Sequence, residues 1–291
     1  MSLTLRAPAK INLGLRILGR RSDGFHDLRG VFQEIDLADE IRIDIRPGTG
    51  EISLECTDPD IPSGRENLVW KAAEAVLDSS EGCFDVKMKL RKRIPSRAGL
   101  GGGSSDAAAV LKTLASHAGI DSGSMISIAC RLGSDVPFFL SGGAAMVEGR
   151  GERITPIPMI PFHAVLIHPK VEISTPWAYD LWDRESKPYL TTSRQIRHYS
   201  ASSAVWHEGK PYPHDLRNDF LPLLEEHIPE IAELSRFLGE SKVRNWGLSG
   251  SGPTFYTLFR TAQQACDLLK GLRWEYTCCR SAGSAGASSN G

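Results

Sequence analysis

A glycine-rich run in the first half of the chain has the composition of an anion-binding loop. An alanine-rich segment follows the run, which reads Gly99-Leu100-Gly101-Gly102-Gly103-Ser104-Ser105. Glycines let the backbone turn tightly and present successive N–H groups, and the positive end of a following helix favours negative charge at the same point. The run therefore predicts a main-chain cradle for phosphate groups. A flexible surface turn is the alternative for a glycine cluster taken alone.

Three known glycine motifs do not match this chain. No Lys-Ser or Lys-Thr pair follows the glycines, which excludes the Walker P-loop, and Ser104 stands at the third glycine position of a dinucleotide-binding GxGxxG. Around Ser249 in the second half, Ser251 replaces the last glycine of GxSxG, which argues against a hydrolase nucleophile elbow. The pattern favours a phosphate-binding loop of another type.

The charge and the cysteine content of the chain limit the kinds of molecule that it is expected to bind. The chain has 34 Lys and Arg against 35 Asp and Glu, and its net charge of -1 gives no general attraction to nucleic acid or to anionic membranes. The 6 cysteines show no CxxC spacing and predict reduced thiols rather than a zinc site or disulfides. With no leader and no long apolar run, we expect a cytoplasmic protein that binds a small molecule. Nothing in the sequence indicates its oligomeric state.

The elements around the glycine run show clear periodicity. Alternating apolar residues at 41–45 and 86–90 predict two half-buried antiparallel strands. Apolar residues at helical spacing between Leu68 and Leu77 predict a helix. A second helix is expected to open at Asp106, to carry an apolar stripe to Ala118 and to end at Gly119. The first half is therefore predicted to mix strands and helices.

A proline-rich interval at 156–161 indicates a lobe boundary. Beyond it we predict strands at 164–167 and 254–259 and helices at 228–237 and 262–269. Clean βαβ alternation is lacking, so the predicted fold class is α+β with two mixed lobes rather than a Rossmann sheet. The tail 281–291 contains only small and polar residues, which cannot form a core, and is predicted to be disordered.

Several segments, taken in order, resemble the signatures of the GHMP small-molecule kinases. Three of them are Ala7-Pro8-Ala9-Lys10-Ile11-Asn12-Leu13, the segment 95–109 and Gly250-Ser251-Gly252-Pro253-Thr254. The others resemble a branch of this family whose substrate carries a cytidine diphosphate; they are Asp23-Gly24-Phe25-His26, Gly133-Ser134-Asp135-Val136-Pro137-Phe138 and Asn218-Asp219. The resemblance implies a two-lobed GHMP-kinase-like fold, with a ribosomal-S5-like lobe at 1–157, a ferredoxin-like lobe at 162–280 and an active-site cleft between them.

The resemblance also implies a reaction, in which the γ-phosphoryl group of ATP moves to a tertiary hydroxyl of a small metabolite. Lys10 and Asp135 match the catalytic positions. Asp135 would orient that hydroxyl and take its proton, while Lys10 keeps the carboxylate ionised and offsets charge on the phosphoryl group. Mg²⁺ is expected with ATP, but no carboxylate is identified as its ligand. The resemblance implies nucleotide binding for Pro95, Gly99, Leu100, Gly101, Gly102, Gly103, Ser104 and Ser105.

Substrate recognition is implied for a small set of aromatic and amide side chains. Phe25 and His26 would bind the cytosine, with Tyr179 as the opposite ring on a segment, 173–179, that aligns with a substrate strand of the family. Asn12 is placed at the acceptor end of the substrate or at its diphosphate.

Each of these assignments has a structural alternative. Considered singly, Lys10 also fits a solvated charge at a strand end, and Asn12 fits an amide that stabilises a turn. Asp135, Ser104 and Ser105 also fit helix caps, and His26 and Tyr179 also fit rings of a hydrophobic core. For the function, the alternatives are another kinase of the same family, such as one acting on mevalonate or homoserine, and a non-catalytic ligand sensor. The presence of both Lys10 and Asp135 argues against the sensor.

Overall fold

The structure is a computed structural model that describes residues 1–80, 82–185, 216–241 and 243–282. Within them the chain forms two β-sheets with helices packed on them, and the connection from one sheet to the other runs from Pro156 to His163. The chain therefore passes from the first sheet to the second in the proline-rich interval. The division into domains at 1–157 and 162–280 stays a prediction. Residues 283–291 of the predicted tail lie outside the described residues.

A long antiparallel hairpin forms the centre of the first sheet. The strands of this sheet are β1 (Ser2–Arg20), β2 (His26–Pro47), β3 (Ile52–Cys56), β4 (Phe84–Arg91), β5 (Ala144–Gly149) and β6 (Arg153–Pro156). Their order is β3-β4-β2-β5-β6, with β1 paired to β2 off this path. Strands β3 and β4 run parallel and the other pairs antiparallel. The strands predicted at 41–45 and 86–90 are confirmed, since they pair antiparallel as parts of β2 and β4.

Strand β1 separates apolar from polar side chains along its middle. Ala9, Ile11 and Leu13 are buried in a core shared with the second sheet. Lys10 and Asn12 alternate with them and therefore point to the opposite face of the strand. The pairing of β1 with β2 shifts register on either side of this segment, and such irregularities change the direction of neighbouring side chains. The strand thus presents a lysine and an asparagine side by side.

The helices of residues 68–141 are α1 (Leu68–Asp78), α2 (Gly102–Ala118), α3 (Ser122–Leu132) and α4 (Val136–Ser141). Helix α1 and the end of α2 at Gly119 are confirmed. The predicted start of α2 at Asp106 is wrong, because Gly101 has a left-handed φ of 72° and its carbonyl already accepts the Ser105 N–H. Glycine adopts this conformation at little cost, so the helix begins directly after it. Asp106 consequently lies about one turn inside α2.

The second sheet contains β7 (His163–His168), β8 (Trp246–Leu248), β9 (Phe255–Phe259) and β10 (Glu275–Arg280) in the antiparallel order β10-β7-β9-β8. Its helices are α5 (Thr175–Glu185), α6 (Leu221–His227), α7 (Pro229–Glu240) and α8 (Ala262–Leu269). The strands predicted at 164–167 and 254–259 and the helices predicted at 228–237 and 262–269 are confirmed. The expected strand at 173–179 is wrong, because α5 begins at Thr175. Pro176 suits the first turn of a helix, because proline lacks the backbone N–H that this turn would leave unpaired. The Ala178 N–H already donates to the Ser174 carbonyl at 3.0 Å.

A hydrophobic core joins the two sheets. Val31 and Ile35 of β2 pack in it with Leu166 of β7 and with Tyr256 and Leu258 of β9. Because such cores are close-packed, the sheets are fixed against each other beside β1. None of the helices in the described part of the chain is long and apolar enough to cross a membrane.

Candidate active site

The glycine loop lies very close to a backbone segment of the second half of the chain. A Cβ added to Gly99, whose φ is +73°, would lie 2.2 Å from the Ser249 carbonyl oxygen. The Ser249 hydroxyl donates to the Gly99 carbonyl at 2.9 Å. On the other side of the loop, the Leu100 carbonyl accepts a hydrogen bond from the Lys10 N–H at 3.0 Å. The loop is therefore fixed between β1 and the segment 247–252.

Gly99→Ala is expected to lower the free energy of unfolding by about 3–5 kcal/mol, because the new methyl group meets backbone that cannot move aside. Gly119→Ala is the matched control. Its φ is +69°, but nothing lies within 4 Å of the added Cβ, so only the left-handed strain of about 1–2 kcal/mol remains. Urea unfolding of the two variants measures the difference. Equal losses of stability would contradict the close approach of the loop to segment 247–252.

The start of α2 and the side chain of Asn12 offer unpaired hydrogen-bond donors. No side chain caps α2, so the capping alternative for Ser104 and Ser105 is wrong and both lie in the first turn. Ser104 lines the cleft, whereas Ser105 is buried and does not. Asn12 lines the cleft, and its Nδ2 is buried without a hydrogen-bond partner among the described residues. A helix N-terminus beside an unpaired amide donor fits phosphate oxygens.

Lys10 and Asp135 lie together at the end of this loop. The Lys10 Nζ is 3.6 Å from Asp135 Oδ2. It also donates to Asn12 Oδ1 at 2.6 Å and to the Gly99 carbonyl at 2.9 Å. Burial lowers the pKa of Lys10, whereas the charge of Asp135 and its hydrogen bond act to raise it. Lys10 is 2% exposed, so the alternative of a solvated strand-end charge is wrong.

Asp135 precedes α4 as its N-cap residue, but its side chain makes no capping hydrogen bond. The side chain is 31% exposed and lines the cleft. Burial raises the pKa of Tyr179, and the negative charge of Asp135 raises it further. A carboxylate that caps no helix and lies beside a buried ammonium can orient a hydroxyl group and accept its proton.

A buried ion cluster that the sequence did not indicate lies beside the glycine loop. Lys92 Nζ donates to Asp39 and, at 2.8 Å, to Asp106 Oδ2. Asp39 in turn accepts the Ile94 N–H at 2.9 Å. A Cβ added to Gly102 would lie 3.2 Å from Lys92 Nζ. The cluster therefore positions the first turns of α2 against β2 and the end of β4.

Asp106→Asn is expected to remove a pH dependence of stability. Burial raises the pKa of Asp106 to about 7, so from about pH 4 to pH 7 the folded carboxyl binds a proton that the unfolded one has released. The free energy of unfolding therefore falls as pH rises through this window, by at most about 1.4 kcal/mol per pH unit from this group. Urea unfolding measures the difference in the free energy of unfolding between Asp106→Asn and the wild type. That difference should favour the variant more at pH 8 than at pH 5.

Asp267→Asn is the control for this experiment. Hydrogen bonding to Lys270 and the charge of Lys270 hold the pKa of Asp267 below its usual range, so its replacement should give the same stability difference at pH 5 and pH 8. Parallel stability curves for wild type and Asp106→Asn would instead mean that the Asp106 carboxyl is ionised throughout.

The rings expected to bind a base lie near each other at one cleft, and two of them stack on each other. Phe25 is 47% exposed, with the Arg150 guanidinium 4.9 Å from its ring centroid. His26 stacks directly on Tyr179, with centroids 4.6 Å apart and an interplanar angle of 20°. This is the contact distance of two stacked rings, so no base fits between them. Tyr179 lines the same cleft, and that it is the ring on the opposite side of the base stays a prediction, while the exposed aromatic face belongs to Phe25.

One cleft of about 1310 Å³ brings the predicted residues together. All but Ser105 of the predicted set line it, namely Lys10, Asn12, Phe25, His26, Pro95, Gly99, Leu100, Gly101, Gly102, Gly103, Ser104, Asp135 and Tyr179. Gly250 and Ser251 contribute from the second half of the chain. Within the described residues, one set of three carboxylate and histidine groups lies close enough together to share a metal ion, namely Glu185, Glu226 and His227; these residues are exposed and do not line the cleft.

The chain is similar in sequence and in fold to known kinases. Residues 67–143 match the family described as GHMP kinases N terminal domain. A 4-diphosphocytidyl-2-C-methyl-D-erythritol kinase of Solibacter usitatus is 43% identical over 260 residues, 88% of this chain and 81% of that protein. The crystal structure of a 4-(cytidine 5'-diphospho)-2C-methyl-D-erythritol kinase has a TM-score of 0.73 at 34% identity, covering 97% of this chain and 100% of that one. A homoserine kinase of Cytophaga hutchinsonii has a TM-score of 0.69 at 17% identity, over 96% and 94% of the two chains, and shares the fold.

The fold and the site define a class, since the chain belongs to the GHMP kinase family. The relatives that it matches over most of its length carry the name 4-diphosphocytidyl-2-C-methyl-D-erythritol kinase. The predicted two-lobed fold class is confirmed by the matching structures.

Proposed function

We propose that this chain transfers the γ-phosphoryl group of ATP to the 2-hydroxyl of 4-diphosphocytidyl-2-C-methyl-D-erythritol, a step of non-mevalonate isoprenoid precursor synthesis. The observation that carries the proposal is the Lys10–Asp135 pair, 3.6 Å apart at the end of the glycine loop. Relatives at 43% and 37% identity, aligned over 88% and 94% of this chain, bear the name of this kinase. The reaction takes place in the cytoplasm on a small molecule, without nucleic acid or membrane.

ATP binds with its phosphates on the glycine loop in this proposal. The N–H groups of the first turn of α2 and the unpaired Nδ2 of Asn12 face negatively charged oxygens. Gly103 leaves room for them, because the nearest atom to an added Cβ is 3.8 Å away. Mg²⁺ bound with ATP would supply positive charge to the phosphates, and Ser104 at the cleft would offer it a hydroxyl oxygen as a ligand.

Phosphoryl transfer needs alignment and positive charge more than a strong base. The moving group carries its charge on three oxygens in a loose transition state, so the proton of the acceptor can leave late. Asp135 orients the acceptor hydroxyl and takes that proton. The Lys10 ammonium is fixed by the oxygen atoms of Asn12, Gly99 and Asp135, and it stabilises developing charge without first having to reorganise.

The cytidine end of the substrate lies at the tip of the β1–β2 hairpin. The exposed ring of Phe25 offers a face on which a base can stack, worth about 1–3 kcal/mol and tolerant of base identity. His26 lines the same part of the cleft with an imidazole that can form hydrogen bonds. Stacking therefore supplies affinity, and selection among bases requires His26 or the nearby backbone.

The test is ADP release by the purified full chain with ATP and Mg²⁺. The cytidine ester should support turnover, whereas mevalonate, homoserine, CDP and CTP should not, because none of them joins a cytosine to a tertiary acceptor hydroxyl. Phosphorylation of mevalonate with no response to the ester would overturn the proposal in favour of another kinase of the family. Binding of the ester without ADP release would favour a ligand sensor.

A further inference from the structure

Helix α5 fixes the His26 ring from three sides. Its residues Tyr179, Trp182 and Asp183 are spaced i, i+3 and i+4 and so lie on one face of the helix. Tyr179 stacks on the His26 ring, and Trp182 approaches it edge-on at 5.5 Å between centroids and 85° between planes. Asp183 Oδ1 lies 2.7 Å from His26 Nε2. These contacts determine both the place and the rotation of the imidazole.

Asp183 also binds the other strand of the hairpin. Arg20 and His26 are cross-strand partners at the end of β1 and the start of β2. The Arg20 guanidinium lies 3.2 Å from Asp183 Oδ2, while Oδ1 faces His26. The side chains of His26 and Asp183 are 6% and 20% exposed, so their hydrogen bond is largely shielded from water and stronger than a surface pair.

The carboxylate decides which nitrogen of the ring carries hydrogen. A carboxylate only accepts, so Nε2 of His26 is the protonated nitrogen, and in the neutral ring Nδ1 is a bare acceptor. Nδ1 has no hydrogen-bond partner within the part of the chain that the structure describes, and His26 lines the cleft. The free acceptor is therefore the atom of His26 that a ligand can use.

We propose that Asp183 is a specificity-determining positioning residue, which makes His26 Nδ1 an acceptor that selects cytosine over uracil in the substrate. The inference rests on the proposed function, in which the base is a cytosine. Cytosine has an amino donor where uracil has a carbonyl oxygen. An acceptor nitrogen facing that position pairs with cytosine but leaves two acceptors opposed with uracil, which costs affinity.

The ¹⁵N chemical shifts of the His26 imidazole measure the tautomer without any substrate. At pH 8 the wild type should show a protonated Nε2 and a bare Nδ1. Asp183→Asn should show a mixture of the two tautomers, because an asparagine side chain can either accept from Nε2 or donate to it. Glu185→Gln removes a charge from the same helix at a carboxylate that pairs with His227, and it should leave the shifts unchanged. An unaltered tautomer in Asp183→Asn would overturn the proposal.

Kinetics with two substrates separate specificity from general damage. The ratio of kcat/KM for the cytidine ester to that for its uridine analogue should fall roughly tenfold in Asp183→Asn. The loss should come chiefly through KM of the cytidine ester, since Asp183 contacts neither the glycine loop nor Asp135. Glu185→Gln should keep the wild-type ratio. Equal losses with both esters would mean that Asp183 is only structural, and would overturn the proposal.

The two proposals fail in different ways. If the wild type transfers no phosphoryl group to the cytidine ester, the proposed function is wrong, and the selectivity assigned to Asp183 is wrong with it. If the wild type is active and Asp183→Asn keeps full discrimination between the esters, only the inference about Asp183 is wrong and the kinase assignment stands.

Discussion

Asp135→Asn is expected to lower kcat by roughly 10²- to 10⁴-fold while ATP binding is preserved. The amide has the shape of the carboxylate but cannot accept the proton of the acceptor hydroxyl, and it removes the negative charge beside Lys10. The glycine loop should keep its place, because it is fixed by the Ser249 hydroxyl and by the backbone of β1. The loss should therefore appear in turnover rather than in nucleotide affinity.

Coupled ADP release gives kcat for this variant, and calorimetric titration with ATP gives its affinity. Asp267→Asn is the control, since it removes an exposed carboxylate on α8 that pairs with Lys270 at 2.9 Å. It should retain wild-type turnover. Full activity of Asp135→Asn would remove this carboxylate from the mechanism, and a loss of ATP binding equal to the loss of kcat/KM would make its role one of nucleotide binding.

Lys10→Met is expected to lower kcat by roughly 10²- to 10³-fold, because the transferring group loses a fixed positive charge. It should also lower the free energy of unfolding by about 1–3 kcal/mol, since Asn12 Oδ1 and the Gly99 carbonyl each lose a charged donor. Methionine keeps much of the buried volume, so a large cavity is not the cause. Turnover assays and urea unfolding measure the two effects separately.

A double variant tests whether the lysine and the carboxylate act as a unit. Lys10→Met combined with Asp135→Asn should lose little more kcat than the worse single variant, because each residue works through the other. Lys270→Met, which removes an exposed lysine, should leave both turnover and stability unchanged. Losses that simply multiply would show that Lys10 and Asp135 contribute independently.

Periodicity predicted much of the fold, and its errors fall where one residue changes the local backbone. The apolar stripe of α2 was visible in the sequence, yet the helix starts four residues before the predicted Asp106, because Gly101 takes a left-handed conformation. Four glycines within the run could each have adopted that conformation, and both Gly99 and Gly101 do, so the sequence does not say which of them comes directly before the helix. At 173–179, Pro176 was compatible with either an extended segment or a first helical turn.

The site was predicted where it follows from motifs and missed where it follows from long-range contacts. Lys10 and Asp135 came from matched segments, and the structure brings them to 3.6 Å. Asp183 and His26 are 157 residues apart in the chain, and Lys92 and Asp39 are 53 apart. No local pattern marks such pairs. The spacing of Tyr179 and Asp183 would have indicated a shared helix face, but only with 173–185 interpreted as a helix.

Strand β1 has a consequence for how damage far from the cleft would be felt. Ile11, between the lysine and the asparagine, is packed into the core between the sheets, and dense interiors transmit displacement. Phosphoryl transfer tolerates little misplacement of its charged groups. Substitutions that remove one or two methyl groups from the core between the sheets would therefore displace the Lys10 ammonium. Such a variant would lose activity while it was still folded.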